Sequence, residues 1–262
     1  MNGFILLGAF GQLGFELCGE LLDKGYQVYH VNICDYLEDE EMIEEKALYI
    51  GRNSNFKIYR EDDGPKISTL DYPIILPIYD WHFFQDNAID KLKEKIYQLL
   101  HSYKNKMNEP YIITLDMKNG GDKNPLLEEV AKRIQGATKR NLTIQLPILY
   151  GKWLTSSSYL FNVLTNNYVR KCYDAIHLTD AVREVVKLIL MEKLGVFCIN
   201  NRKEDRWIRY LYEITGVKSR TEYISYEKTG FSGEPIMVNE CESWSLEDDK
   251  KRLLKLSPKL VK

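Results

Sequence analysis

Three glycines at three-residue steps, Gly8, Gly11 and Gly14, constrain this chain more than any other feature. The apolar run Phe4-Ile5-Leu6-Leu7 leads into them and a helical pattern leads out, so the stretch reads as strand, tight turn, helix. Gly8 can take the positive φ that a sharp turn needs. The missing side chain at Gly11 leaves room for a phosphate to approach backbone N–H groups, and Gly14 lets the new helix lie close on the sheet. A helix N-terminus offers unpaired donors and a partial positive charge, so an anion is favoured there. The turn Gly8, Phe10, Gly11, Gln12, Leu13 and Gly14 therefore reads as a dinucleotide site. The plainer alternative is a strand-to-helix turn with no ligand. Its place on the first strand, with a second strand behind it, favours the first reading.

The chain continues as strands alternating with helices. Leu13, Leu17 and Leu21 share one helical face, Gly25 sits where a C′ residue belongs, and Tyr26 to Ile33 alternates as a second strand. An acidic stretch follows, from Asp35 through Glu45. It reads as a solvated helix face, yet it lies where the ribose of a bound adenosine would sit, and carboxylates there would repel a 2′-phosphate. That gives a slight preference for NAD(H) over NADP(H). Residues 47–60 read as a short hairpin or paired strands around Arg52 to Asn55, and Tyr72 to Ile78 as a buried strand. Trp81 and His82 fall at that strand's carboxyl end, where they would line a substrate pocket. Helices are expected from Ala88 to Tyr103, from Pro125 to Gly136, from Thr179 and from Glu204 to Thr215. Strands are expected at Tyr111–Leu115, Leu142–Leu146 and Val196–Ile199.

This alternation predicts an α/β fold: a doubly wound parallel sheet of Rossmann type with a small C-terminal lobe. The expected division is a dinucleotide-binding core at 1–151 and a substrate-side lobe at 152–262, with 176–216 returning to pack on the core. Residues 217–262 are expected to lie outside the sheet. A formal net charge of -2 gives no reason to expect nucleic acid or an anionic membrane as partner. No apolar run approaches the roughly 20 residues that span a bilayer. Five scattered cysteines without a CxxC read as reduced thiols in a cytoplasmic protein, and four scattered histidines give no metal spacing.

Several segments together resemble the extended short-chain dehydrogenase/reductase family, the NAD-dependent epimerase/dehydratase type. Gly8 to Gly14 matches its GxxGxxG turn, and the Gln12-Leu13-Gly14 ending is most similar to the dTDP-4-dehydrorhamnose reductase branch. Gln145 to Gly151 resembles its R-P-x-x-V-Y-G segment, and Ile176 to Val182 its I-H-V-D-D-V-A segment. The resemblance implies a core that binds NAD(P), a lobe that holds a sugar nucleotide or similar substrate, and a homodimer formed through a four-helix contact.

The departures concern chemistry. The family uses a tyrosine hydroxyl as acid/base, with a lysine four residues on that lowers its pKa and holds the nicotinamide ribose. None of the 18 tyrosines here has lysine at the fourth following residue. The lysine slot falls near Lys123 and the tyrosine slot near Asn119 or Gly120. The ribose-binding acid after the second strand corresponds to Asn32, which bonds a hydroxyl without charge assistance. Asp116, His82 or a tyrosine such as Tyr150 are the candidates to replace the missing acid, with Lys123 a candidate to reach a ribose. His177 is a candidate for substrate contact, or else a packed histidine before a helix. Two functions stay open: a dinucleotide-binding sensor or regulatory subunit without Tyr/Lys chemistry, serving a protein partner, or a working NAD(P)-dependent oxidoreductase or epimerase with an unconventional acid/base. A chain that binds no cofactor at all is the third possibility.

Overall fold

The computed structural model describes residues 1–32, 40–59, 70–84, 86–103, 109–118, 124–153, 175–202, 206–215, 233–238 and 247–251. Strand β1 (Gly3–Leu7) ends in the glycine turn, and helix α1 (Gln12–Asp23) starts directly after it. Gly8 has φ +91°, and Gly25, just past α1, has φ +83°. The Tyr26 N–H bonds the Leu21 carbonyl and the Gly25 N–H the Leu22 carbonyl, which closes α1 in a Schellman motif.

The chain then runs through β2 (Gln27–Val31), α2 (Glu40–Ile50), β3 (Phe56–Tyr59), β4 (Ile74–Leu76), α3 (Ile78–Trp81) and α4 (Asp86–Tyr103). It continues through β5 (Ile112–Met117), α5 (Pro125–Ala137), β6 (Asn141–Leu146), β7 (Ile148–Tyr150) and β8 (Ala175–His177). Last come α6 (Leu178–Leu190), β9 (Gly195–Asn201), α7 (Arg206–Thr215) and β10 (Glu234–Val238). Among the described residues eight strands form one sheet in the order β10-β9-β6-β5-β4-β1-β2-β3, and β7 pairs with β8 in a separate ribbon. Every pairing is parallel.

Alternation along β1 sorts the core into two layers. Phe4 and Leu6 join Leu13, Leu17 and Leu21 of α1 and Val182, Val185 and Ile189 of α6. Ile5 and Leu7 join Ile89, Leu92 and Ile96 of α4 and Leu127, Val130 and Ile134 of α5. A sheet buried on both faces needs apolar residues at consecutive sites, which is why its strands read as unbroken apolar runs.

Two expectations are corrected. Residues 47–60 form no hairpin: α2 runs to Ile50, and Phe56–Tyr59 pairs parallel with β2. The acidic run masked this, because α2 buries only a narrow stripe at Met42, Lys46 and Ile50. The second correction concerns the region beyond 217, where Glu234–Val238 extends the sheet as the edge strand β10. Its largely exposed side chains and its proline carry no core signature, as suits an edge. Most of the rest of 152–262 lies outside the described residues.

The three glycines of the turn differ in what they do. A Cβ at Gly14 would lie 2.2 Å from the Gly8 carbonyl oxygen, and backbone cannot step aside. A Cβ at Gly19, on the same helix, would meet nothing within 4 Å. Gly14→Ala is therefore expected to cost more than about 2 kcal/mol in urea unfolding. Gly19→Ala is expected to gain roughly 0.5–1 kcal/mol. Equal effects at the two sites would refute the tight seating of α1.

Candidate functional site

The carboxyl ends of β1, β2, β4, β5 and β6 form one edge, and the glycine turn sits on it at the end of β1, between β4 and β2. Gly11 is the N-cap of α1 and brings no side chain to the first amides of the helix. Those amides are nonetheless satisfied. Asp80, from α3 at the end of β4, accepts the Leu13 N–H through Oδ1 at 2.9 Å and the Gly14 N–H through Oδ2 at 2.9 Å. The carboxylate is 5% exposed. It fills the space that Gly11 leaves, since a Cβ there would lie 2.2 Å from Asp80 Oδ2. An ionised acceptor on a helix N-terminus gains from both hydrogen bonding and the helix dipole.

Two more side chains close on the turn. The Ala9 N–H donates to His30 Nδ1 at 3.2 Å. Burial pushes the His30 imidazole down to about 4, so it is neutral near pH 7 and its Nδ1 lone pair is free to accept. Lys46 of α2 donates to the Phe10 carbonyl at 2.7 Å and lies 5.7 Å from the ring centroids of both Phe15 and Trp153. Its side chain is fully buried, a cation held by a carbonyl and two aromatic faces. The Phe10 side chain turns inward, edge-on to His30 with ring centroids 4.9 Å apart.

The turn thus passes one test for an anion site, because it holds an anion. That anion is the chain's own. A second sign points the same way: Gln12, at the first residue of α1, is 2% exposed and its Nε2 meets no acceptor among the described residues. A diphosphate at this turn would need the Leu13 and Gly14 amides, and hence the place Asp80 occupies.

Further along the edge, His82 and Asp116 meet across α3 and β5. His82 Nδ1 accepts the Asn124 N–H at 3.3 Å, which leaves Nε2 as the donor to Asp116 Oδ1 at 2.8 Å. Asp116 Oδ1 also accepts the Met117 N–H at 2.7 Å. Both ring nitrogens are engaged, so His82 has no lone pair for base catalysis in this state. The buried Lys118 ammonium bonds Asn200 Oδ1.

Tyr150 has no exposed surface and packs against Tyr210 and His177, with centroids 4.8 and 5.4 Å away. His177 caps α6, its Nδ1 accepting the Thr179 N–H, while Nε2 lies 3.3 Å from Asp249 Oδ2. Tyr210 donates to the same carboxylate oxygen at 3.1 Å. Trp81 is wholly buried on the α4/α5 side of the sheet. Asn32 is exposed, and its carbonyl accepts from Lys95. Lys123, Asn119 and Gly120 lie outside the described residues. The fold therefore brings Gly8 to Gly14 and Asp80 together at one place and His82 with Asp116 at another, and it buries Tyr150, His177 and Trp81. Sequence reasoning passed over Asp80, His30, Lys46 and Lys118.

No family model and no curated protein matches the chain. Solved structures do. The UDP-glucuronic acid 4-epimerase of Bacillus cereus, in complex with UDP-glucuronic acid and NAD, superposes with a TM-score of 0.62 at 16% identity, covering 98% of this chain and 99% of that one. Bordetella bronchiseptica WbmH, in complex with NAD+, gives 0.55 at 13% identity over 96% and 97%. The yeast methylglyoxal/isovaleraldehyde reductase Gre2, with NADPH, gives 0.57 at 12% over 98% and 99%. The fold is Rossmann-like. At such identities the likeness is one of fold, and it spans nearly the full length of each protein. Among the described residues no helix is long and apolar enough to cross a membrane, and no group of three or more histidine, cysteine or acidic residues is placed to hold a metal ion.

His30 gives this site a pH signature. Its folded value of about 4 lies below the ordinary 6.5, so on acidification the unfolded chain takes up the proton first. The stability it contributes is complete above about pH 6.5 and is lost as pH falls toward 4. Between pH 7.5 and 5 the loss from this group is about 2 kcal/mol. Urea unfolding of wild type and His30→Gln at both pH values checks it: the variant should lack that part of the slope, and identical slopes would exclude His30 as its source.

Proposed function

We propose that this chain is a dinucleotide-responsive protein without the standard Tyr/Lys chemistry, a sensor or regulatory subunit on the scaffold that sugar-nucleotide epimerases use. The supporting observation is the closed state of the polar groups at the carboxyl edge. His82 and Asp116 satisfy one another, Tyr150 is sealed from solvent, and the sequence offers no tyrosine at the slot before α5. An acid/base group must be able to reach the reacting atom, and these groups are bonded to or packed against the chain's own residues.

The dinucleotide part of the reading rests on the turn and on the complexes of the neighbouring folds. A bound cofactor would supply a hydride acceptor or donor and a diphosphate. The Leu13 and Gly14 amides and Gln12 Nε2 would hold the diphosphate, and Asn32 would take a ribose hydroxyl. The choice between NAD(H) and NADP(H) is proposed as NAD(H), from the acidic run that precedes and opens α2. A protein partner would receive the signal.

One observation favours a second reading, an oxidoreductase or epimerase on a sugar-nucleotide-like substrate. Asp116 stands at the carboxyl end of β5 with 11% of its side chain exposed and a histidine beside it. Such a pair can pass a proton once substrate displaces the present bonds.

The deciding measurement is turnover. Purified protein saturated with NAD(H), then NADP(H), is offered UDP-glucuronic acid and UDP-glucose while absorbance at the nicotinamide band and epimer formation are followed. No turnover is expected above background. Turnover that falls at least 100-fold in Asp116→Asn would instead establish the second reading.

A further inference from the structure

The turn that would receive a diphosphate already holds a carboxylate, and the segment carrying that carboxylate is tied to distant parts of the edge. We propose that Asp80 is a built-in competitor for the diphosphate, and that a dinucleotide binds by displacing it and so moves α3. This rests on the dinucleotide reading above and adds how that site is gated and where its signal goes.

The competition follows from geometry. The two amides of the first turn that point at an anion are both bonded to Asp80. The volume left by Gly11 is filled by the same carboxyl group. A diphosphate cannot share these donors with a carboxylate, because like charges at contact distance repel. Exchange is chemically even-handed. One anion leaves the helix N-terminus for water and another takes its place on the same two amides. Apparent affinity falls by the fraction of molecules in which Asp80 has moved, so removing the carboxylate should raise it.

The signal follows from the neighbours of Asp80 on α3. On one side, the Tyr79 hydroxyl accepts the Leu149 N–H of β7 at 2.8 Å. On the other, His82 receives the Asn124 N–H at the cap of α5 and donates to Asp116 of β5. The four residues of α3 and the His82 that caps it thus hold the glycine turn, the β7 ribbon and the start of α5 at once. Withdrawing Asp80 loads all three attachments. A short element with discrete bonding partners is the kind of unit that shifts between two arrangements.

The experiment compares wild type, Asp80→Ala and Asp80→Asn in calorimetric titrations with NADH and, separately, with inorganic pyrophosphate. Asp80→Asn keeps a neutral acceptor for α1 and carries the comparison should the alanine variant fail to fold. Hydrogen exchange of residues 74–84 in wild type, with and without NADH, reads the movement of α3. The proposal expects both variants to bind each ligand at least tenfold more tightly than wild type, and NADH to speed exchange in 74–84 of wild type. Equal or weaker binding by the folded variants overturns it, as does binding by wild type with unchanged exchange. Pyrophosphate gained by the variants with no NADH binding at all would uphold Asp80 as the competitor and refute the dinucleotide reading. Failure of every protein to bind either ligand refutes both.

Discussion

The seating of α1 against the end of β1 is the contact on which the carboxyl edge depends. Gly14 passes so near the Gly8 carbonyl that no side chain fits between them, and the first amides of the helix are thereby fixed in one place. Fixed donors at a helix start, in a region with little water, must be matched by an acceptor. Asp80 is that acceptor, and meeting it sets where α3 lies. Once α3 is placed, Tyr79 and His82 have their partners within reach. The geometry of β7, β5 and α5 at this edge is therefore downstream of one glycine contact.

The same edge explains why a scaffold shared with epimerases and reductases need not share their chemistry. A parallel sheet delivers side chains to its carboxyl ends whatever those side chains are. Here it delivers a histidine and an aspartate already satisfied by each other, a lysine bound to Asn200, and aromatic residues that pack inward. Nearby, Lys46 adds a cation buried against two rings. Polar groups matched in this way make a region rigid and specific.

How much of this could be read in advance depended on range. The β1–α1–β2 unit was legible because its signals are local: an apolar run, a 3.6-residue stripe at Leu13, Leu17 and Leu21, and a glycine at the helix end. The Asn124 cap and Pro125 were legible for the same reason, and the cap is made to the Leu126 N–H. The path of α2 was hidden because its buried stripe includes a lysine, which pattern reading counts as exposed. The edge strand β10 was hidden because only Ile236 and Val238 pack on the core, too short a pattern to stand out. Asp80 was beyond reach altogether. Its partners lie 66 and 67 residues away, and nothing in the spacing of Tyr79-Asp80-Trp81 announces them.

The interlock of Gly11 with Asp80 bears on how glycine fingerprints are interpreted. A glycine at this place is normally credited to the cargo: a phosphate needs the room. Here the room is used by the molecule itself, and any larger residue at 11 would collide with a carboxyl group that the first helix requires. The two residues make one interlocked unit, in which the space at one is set by the other. Such a fingerprint is satisfied by internal fit alone, so its presence does not by itself report a bound phosphate.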